Sequence, residues 1–318
     1  MAPMSTQVLI RTFLESRSAV LSSGALDWLG SASDEIGNRD TLVSDARFGA
    51  LLSLASRKLG HSARGPWCLN AMELDSAGML RDGWNPEFWT PLVAARVHLV
   101  LSRPDLESES GANAIESAFR FADEGELCAL YRSLAHLPAG KRFVWRAAEG
   151  CRTNMVSVFE ADVLDTPFPA EHFDDVAFNQ AAIKALFVGA PLWRLWSLDR
   201  RLSAELARMA LDLADERRSA GRTIPADLWL CLGTFGGERG FAAIETELAR
   251  LDTILPADDE ALFGLRAAVL ALGRAGHTER LRELAAGSHP LLAQEAELGL
   301  AGDANQNAWS RFAVPALT

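Results

Sequence analysis

The 318-residue sequence has few lysines, no paired cysteines and no long apolar run. Lysine occurs only at Lys58, Lys141 and Lys184, within a Lys+Arg total of 31, so arginine carries the positive charge. That charge is also in deficit. A formal net charge of −11 and a pI near 5.1 leave no basic excess for a phosphate backbone, and nucleic-acid binding is not expected. The four cysteines, Cys68, Cys128, Cys151 and Cys231, form no CxxC or Cys/His spacing, which argues against a metal framework or a redox pair. Free, buried thiols in a reducing compartment are the expectation. No apolar stretch reaches the roughly 18 to 20 residues that span a bilayer. The nearest, 181–198, carries Lys184 and Arg194 and breaks at Gly189-Ala-Pro191. The first residues lack the basic and apolar regions of a secretory signal, so a cytoplasmic location is expected. Gly236-Gly237-Glu238-Arg239-Gly240 is glycine-rich, but it follows no strand and lacks the GK[ST] ending of a phosphate loop.

Alternating β-branched runs are nearly absent, and apolar residues recur at helical spacing almost throughout. With 49% hydrophobic and 23% charged residues the chain is an ordinary globular one, long enough for a substantial core. The spacing predicts helices over 8–14, 19–29 and 46–59, then a Gly- and Pro-rich loop from 60 to 86. Pro86 suits the first turn of a helix running to Ser102. Helices are expected over 113–122 and 124–137, and three long ones over 142–164, 170–188 and 192–220, the last capped by Gly221. Segments 241–255, 258–273, 278–286 and 290–300 are short, Ala/Leu-rich and separated by Gly or Pro, with the flavour of HEAT-type pairs. A polar tail over 303–318 surrounds Trp309 and Phe312. The expected fold is all-α: a right-handed superhelix of stacked antiparallel helix pairs, HEAT-like toward the C-terminus. Its regions would be 1–85, 86–235 and 236–318, joined in one continuous domain.

Helical-wheel positions, about 100° per residue, single out polar side chains on apolar arcs. In a continuous helix from Glu171, the arc of Phe173, Val176, Ile183, Leu186 and Phe187 also takes in His172, Asn179 and Gln180, with Asp175 at its edge. Each such group needs a partner or costs about 1–3 kcal/mol when buried. They form either a self-satisfied network between helices or the wall of a ligand pocket. In the helix before it, Arg152 falls between Trp145 and Phe159, and Asn154 between Phe143 and Val158. Asp199, the one acid in the arc of Leu198, Leu202, Leu206, Met209 and Leu213, is either the partner of Arg152 or an acid favoured by the helix dipole. Arg201/Glu205 and Arg208/Asp212 have the spacing of solvated ion pairs.

Arg146-Ala-Ala-Glu-Gly-Cys-Arg-Thr-Asn-Met155, Pro169-Ala-Glu-His-Phe-Asp174, Asn179-Gln180, Lys184-Ala-Leu-Phe187 and Leu198-Asp199-Arg200 resemble the EboA family. So do Leu206-Ala-Arg-Met209 and Glu216-Arg217 before Gly221-Arg222. The resemblance covers about 146–235, with a weaker echo at 95–102. Phe178 stands where a tryptophan is usual and Phe168 where a tyrosine is. The resemblance implies a bacterial protein encoded beside a UbiA-type membrane prenyltransferase and a TIM-barrel metal hydrolase, serving a small, often prenylated, secondary metabolite. It brings no established catalytic residues.

Two functions follow as expectations. One is a scaffold or carrier that docks a pathway protein, such as the prenyltransferase or hydrolase, or holds a hydrophobic or prenylated metabolite without a cofactor. The other is an all-α enzyme of isoprenoid or related chemistry. There His172 and Asp175 would be catalytic, with His172 titrating near neutral pH. Arg152, Asn154, Asn179, Gln180, Lys184 and Asp199 would bind ligand, and Asp174-Asp175 would invite Mg²⁺. Adjacent residues diverge by about 100° on a helix, which weakens that metal reading.

Overall fold

The computed structural model describes residues 5–17, 19–251 and 259–312. Helix accounts for 72% and no strand occurs among the described residues, so the chain is all-α. The expected helix ends at 252–255 and 258, and the tail beyond 312, lie outside the described residues. The chain divides into two compact units, Met1–Phe173 and Asp174–Thr318.

The first unit contains α1 (Thr6–Glu15), α2 (Ser23–Gly37), α3 (Asp45–Lys58), α4 (Ala71–Leu80), α5 (Pro91–Leu101), α6 (Glu109–Phe121), α7 (Glu124–Ser133), α8 (Val144–Gly150), α9 (Val156–Val163) and α10 (Phe168–His172). Each helix from α1 to α7 starts after a Ser, Thr, Asn or Asp whose side chain accepts a first-turn backbone N–H. Helix α5 is the centre. All its residues but Val93 and Leu101 are buried, and it packs against α1, α2, α3 and α7. An apolar surface all round is what a fully enclosed helix requires. Two polar residues inside it bond to backbone: Arg96 Nε donates to the Leu52 carbonyl at 3.1 Å while its Nη2 faces Glu126 at 3.5 Å, and His98 Nδ1 donates to the Gln7 carbonyl at 3.1 Å.

The second unit contains α11 (Asp175–Val188), α12 (Leu198–Arg201), α13 (Ala204–Ser219), α14 (Gly237–Leu248), α15 (Asp259–Ala275), α16 (Thr278–Ala285) and α17 (Pro290–Ala301). Helix α15 packs on α14, α16, α17 and the turn Ala226–Cys231. Its approach to α17 depends on glycine: a Cβ on Gly273 would lie 2.7 Å from the Cα of Gly299. Glu295, fully buried on α17, accepts from Arg266 at 2.5 Å and Arg311 at 3.1 Å.

Several expected boundaries change for identifiable reasons. The loop over 60–86 holds α4, started by a capping box in which Asn70 and Glu73 satisfy each other's backbone N–H groups. The helix expected from Pro86 begins instead at Pro91, after Thr90 takes the cap. Each of the three long central helices is broken. Residues 151–155 interrupt the first, and Phe173, with ψ 141°, interrupts the second. Asp174 then caps α11, accepting from Ala177 N at 2.8 Å. Ser197 sits in the left-handed region (φ 64°), and Ser203 caps α13. A capping side chain offers the backbone an alternative to continuing the helix, and periodicity alone does not register it.

Candidate functional site

Three helices of the first unit, α2, α4 and α5, end at one cleft of about 1100 Å³, and α1 begins there. Arg39, Arg81 and Arg103 lie one or two residues beyond those three helix ends and line the cleft. A guanidinium suits a helix C-terminus, whose unpaired carbonyls carry partial negative charge. The turn at 135–138 supplies another wall.

Ser102, buried at the end of α5, organises the floor. Its Oγ donates to the His98 carbonyl at 2.8 Å, accepts from Gln7 Nε2 at 2.9 Å and meets Ser33 Oγ at 2.8 Å. Arg103 is 5% exposed and forks onto Asp105 at 3.0 and 2.8 Å, with its guanidinium 4.9 Å from the Phe48 ring centroid. Its Nη1 is buried without a hydrogen-bond partner among the described residues. Arg81 donates through Nη2 to Glu171 at 2.5 Å, and its Nε is likewise shielded and unpartnered. His136 meets Thr6 Oγ1 through Nδ1 at 3.2 Å and sets its ring edgewise to Trp84 at 4.8 Å. Burial, helped by the Arg81 charge, pushes its pKa down to about 3, so the ring is neutral at physiological pH. Its Nε2 has no partner among the described residues. The polar and charged lining of the cleft, with three unpaired buried polar atoms on residues that line it, makes it the candidate binding site.

The residues expected from the sequence are placed differently. Arg152 is exposed and pairs with Glu149, its neighbour one turn back. Asn154 is also exposed, in the loop after α8. His172 ends α10 in the first unit; its ring is 4.6 Å from that of Phe168, and burial lowers its pKa. Asn179, Gln180, Lys184, Asp175 and Asp199 belong to the second unit. There Asn179 is buried, Gln180 is exposed and Lys184 is half-buried on α11. Asp175 is 88% exposed and pairs with Arg201 at 3.0 Å, displacing the expected Arg201/Glu205 pair. Glu205 and Asp212 both pair with Arg208. Asp199 pairs with Arg274 at 2.6 Å and accepts from Gln306 N at 3.1 Å, rather than meeting Arg152. The single inward arc drawn from His172 to Gln180 does not exist, because the helix breaks at Phe173.

One buried cluster escaped the wheel. Asp162 on α9 is 1% exposed, and its Oδ2 accepts from the Cys151 thiol at 3.4 Å while Oδ1 has no partner among the described residues. Burial raises its pKa well above the usual carboxylate range. Gly150 makes room: a Cβ there would lie 2.6 Å from Asp162 Oδ2 and 2.7 Å from Tyr131 Cε1. The signal was Asp162 among Val158, Phe159, Ala161 and Val163, a run in which Glu160 is the other acid.

No group of three or more His, Cys, Asp or Glu that could hold a metal ion occurs among the described residues. Asp174 caps a helix and Asp175 serves an exposed ion pair, so the two acids do not converge. No described helix is long and apolar enough to cross a membrane. Fold and site together define an all-α protein whose first unit carries a polar cleft of about 1100 Å³. The chain belongs to the EboA family: the family model described as "Metabolite traffic protein EboA" matches residues 6–233. Comparison with curated proteins and with solved structures gives no match.

Proposed function

We propose that this protein binds a small metabolite in the cleft of its first unit and hands it on without transforming it. The observation that carries this reading is a cleft of about 1100 Å³ walled by polar and charged side chains from four helix ends, beside which Arg103 Nη1, Arg81 Nε and His136 Nε2 have no hydrogen-bond partner among the described residues. The family description, metabolite traffic, agrees with it. Docking to a pathway protein such as a membrane prenyltransferase or a hydrolase belongs to the same proposal. The packing of α15 on α14, α16 and α17 supports a HEAT-like stack as its scaffold.

Affinity selection from a bacterial metabolite extract, read by mass spectrometry, tests the reading. The wild-type chain should enrich one or a few compounds and release them at unchanged mass. Leu106→Trp, which adds an indole to the cleft lining, should lose that enrichment, and the exposed Arg208→Ala should keep it. Equal enrichment by Leu106→Trp contradicts the proposal.

A hydrophobic or prenylated ligand is the second reading. An apolar groove of about 490 Å³ between α3 and α6–α7, lined by Gly49, Ala50, Ala118 and Phe121, favours it. Enzyme chemistry at His172, with Asp175 and Mg²⁺, is the competing proposal. Turnover of a selected compound, lost in His172→Ala at unchanged far-UV CD, would favour that one.

A further inference from the structure

Helix α4 turns its apolar side chains the wrong way for a surface helix. Of its ten residues only Ala77 is buried, and it is held against α1, where Arg17 bridges to Glu73 at 2.5 Å. Its exposed arc consists of Ala71, Met72, Asp75, Gly78 and Met79, with Asp75 the one polar side chain. A surface helix ordinarily gives that arc to charged and polar residues. Met72 and Met79 are 78% and 81% exposed, seven residues and so about 10 Å apart along the same side. On that face Gly78 is open, since a Cβ there would meet nothing within 4 Å. Residues 71, 75, 78 and 79 have the i, i+4, i+7, i+8 spacing of a helix–helix seam.

We infer that the outer face of α4 docks an apolar helix of a partner protein, one that carries lysine or arginine beside its contact face. Charge selects this occupant. Arg81 is the one basic residue from 65 to 90, and it pairs with Glu171. Glu73 is taken by Arg17. Asp75, Asp82 and Glu87 are exposed and have no ion pair among the described residues. Cations on the partner would meet these three acids while its apolar side chains seat around the two methionines, whose unbranched thioethers adapt to varied surfaces. A second copy is the poorer occupant. Asp75 lies midway between Met72 and Met79, so two α4 helices related by a twofold axis would set Asp75 against Asp75. An anionic lipid surface would face the same acids.

Position gives the docking a use. Helix α4 ends at Leu80, and Leu80 and Arg81 line the cleft, so a helix seated on α4 lies within about 15 Å of the cleft wall, the length of ten helical residues. The surface rests on the docking half of the proposed function and is independent of what the cleft holds.

Methyl NMR of the full chain tests it, because Met72 and Met79 are two of only six methionines. The probes are two peptides of about 18 residues, long enough to form a helix, with one Ala/Leu face flanked by lysine in the first and by glutamate in the second. The lysine peptide should shift the Met72 and Met79 methyl signals and leave Met209 unmoved. The glutamate peptide should bind about tenfold or more weakly, from two or three exposed charge pairs reversed. Asp75→Asn with Asp82→Asn should weaken the lysine peptide about fivefold, and added salt should do the same. Met72→Ser with Met79→Ser should abolish its binding at unchanged far-UV CD, since both side chains are exposed. Equal affinity for the two peptides overturns the inference. So do Met72 and Met79 shifts produced by phosphatidylglycerol vesicles, or by raised protein concentration alone, which would make lipid or a second copy the occupant. Lysine-peptide shifts confined to other methionines overturn α4 as the surface and leave docking to another face. No binding of either peptide overturns both.

Discussion

At the scale of single residues, three buried titratable groups of the first unit, His136, His98 and Asp162, are pushed toward their neutral forms. His136 and His98 are held uncharged by burial, with pKa values near 3 and 4. A histidine that titrates near 6.5 when unfolded binds more protons in the unfolded chain across that window. Their contribution is therefore intact above about pH 6.5 and is lost as pH falls toward 4 and 3. Asp162 works in the opposite sense. It stays protonated in the folded chain, whereas an unfolded aspartate ionises above about 3.9. Folding thus binds an extra proton above that pH, and stability declines as pH rises toward the raised folded value. Asp162→Asn removes the penalty while keeping the shape. Thermal melts from pH 4 to 8 should show the variant gaining on the wild type by a few degrees toward pH 8, with the difference flat below about pH 4. A difference independent of pH would show that Asp162 is ionised in the folded chain.

At the scale of elements, apolar spacing revealed where helices are and missed how they end. The core faces of α1, α3, α6 and α7 were legible because burial repeats every three to four residues. The breaks at Phe173 and Ser197 were not, because one capping side chain or one left-handed residue overrides an apolar pattern that continues across it, and at 151–155 Thr153 Oγ1 takes the Met155 N–H in a turn. Helix α4 shows the converse. It lies among glycines and prolines that suggest loop, yet the Asn70/Glu73 box starts it and Glu73 also takes the guanidinium of Arg17 at 2.5 Å. Asn70→Ala should cost about 1 kcal/mol in urea unfolding, the usual worth of an N-cap. No change in the midpoint would mean that packing alone holds α4.

At the scale of the whole molecule, the family match over 6–233 reaches beyond the first unit, which ends at Phe173, and well before the 146–235 stretch whose motifs carry the resemblance. The apolar arcs that single out His172 and Arg152 lie in that stretch, and the cleft lies outside it. Residues that line it come from 5–7, 33–39, 80–81, 101–107 and 135–138, each at a helix end. A wheel compares residues on one helix face, so a site assembled from the ends of helices distant in sequence leaves no periodic trace. Arg81 and Arg103 carried a weaker signal, as cations just past the last apolar turn of a helix, but helix-end cations are common for reasons of stability alone.

The central claim is that a metabolite occupies this cleft. Hydrogen exchange of the full chain, with and without a compound enriched from extract, tests it most directly. The account predicts slowed exchange at 5–7, 33–39, 101–107 and 135–138, with α13 and α16 unchanged. Protection confined to the second unit, or a bound compound that leaves those four segments exchanging as before, would contradict it.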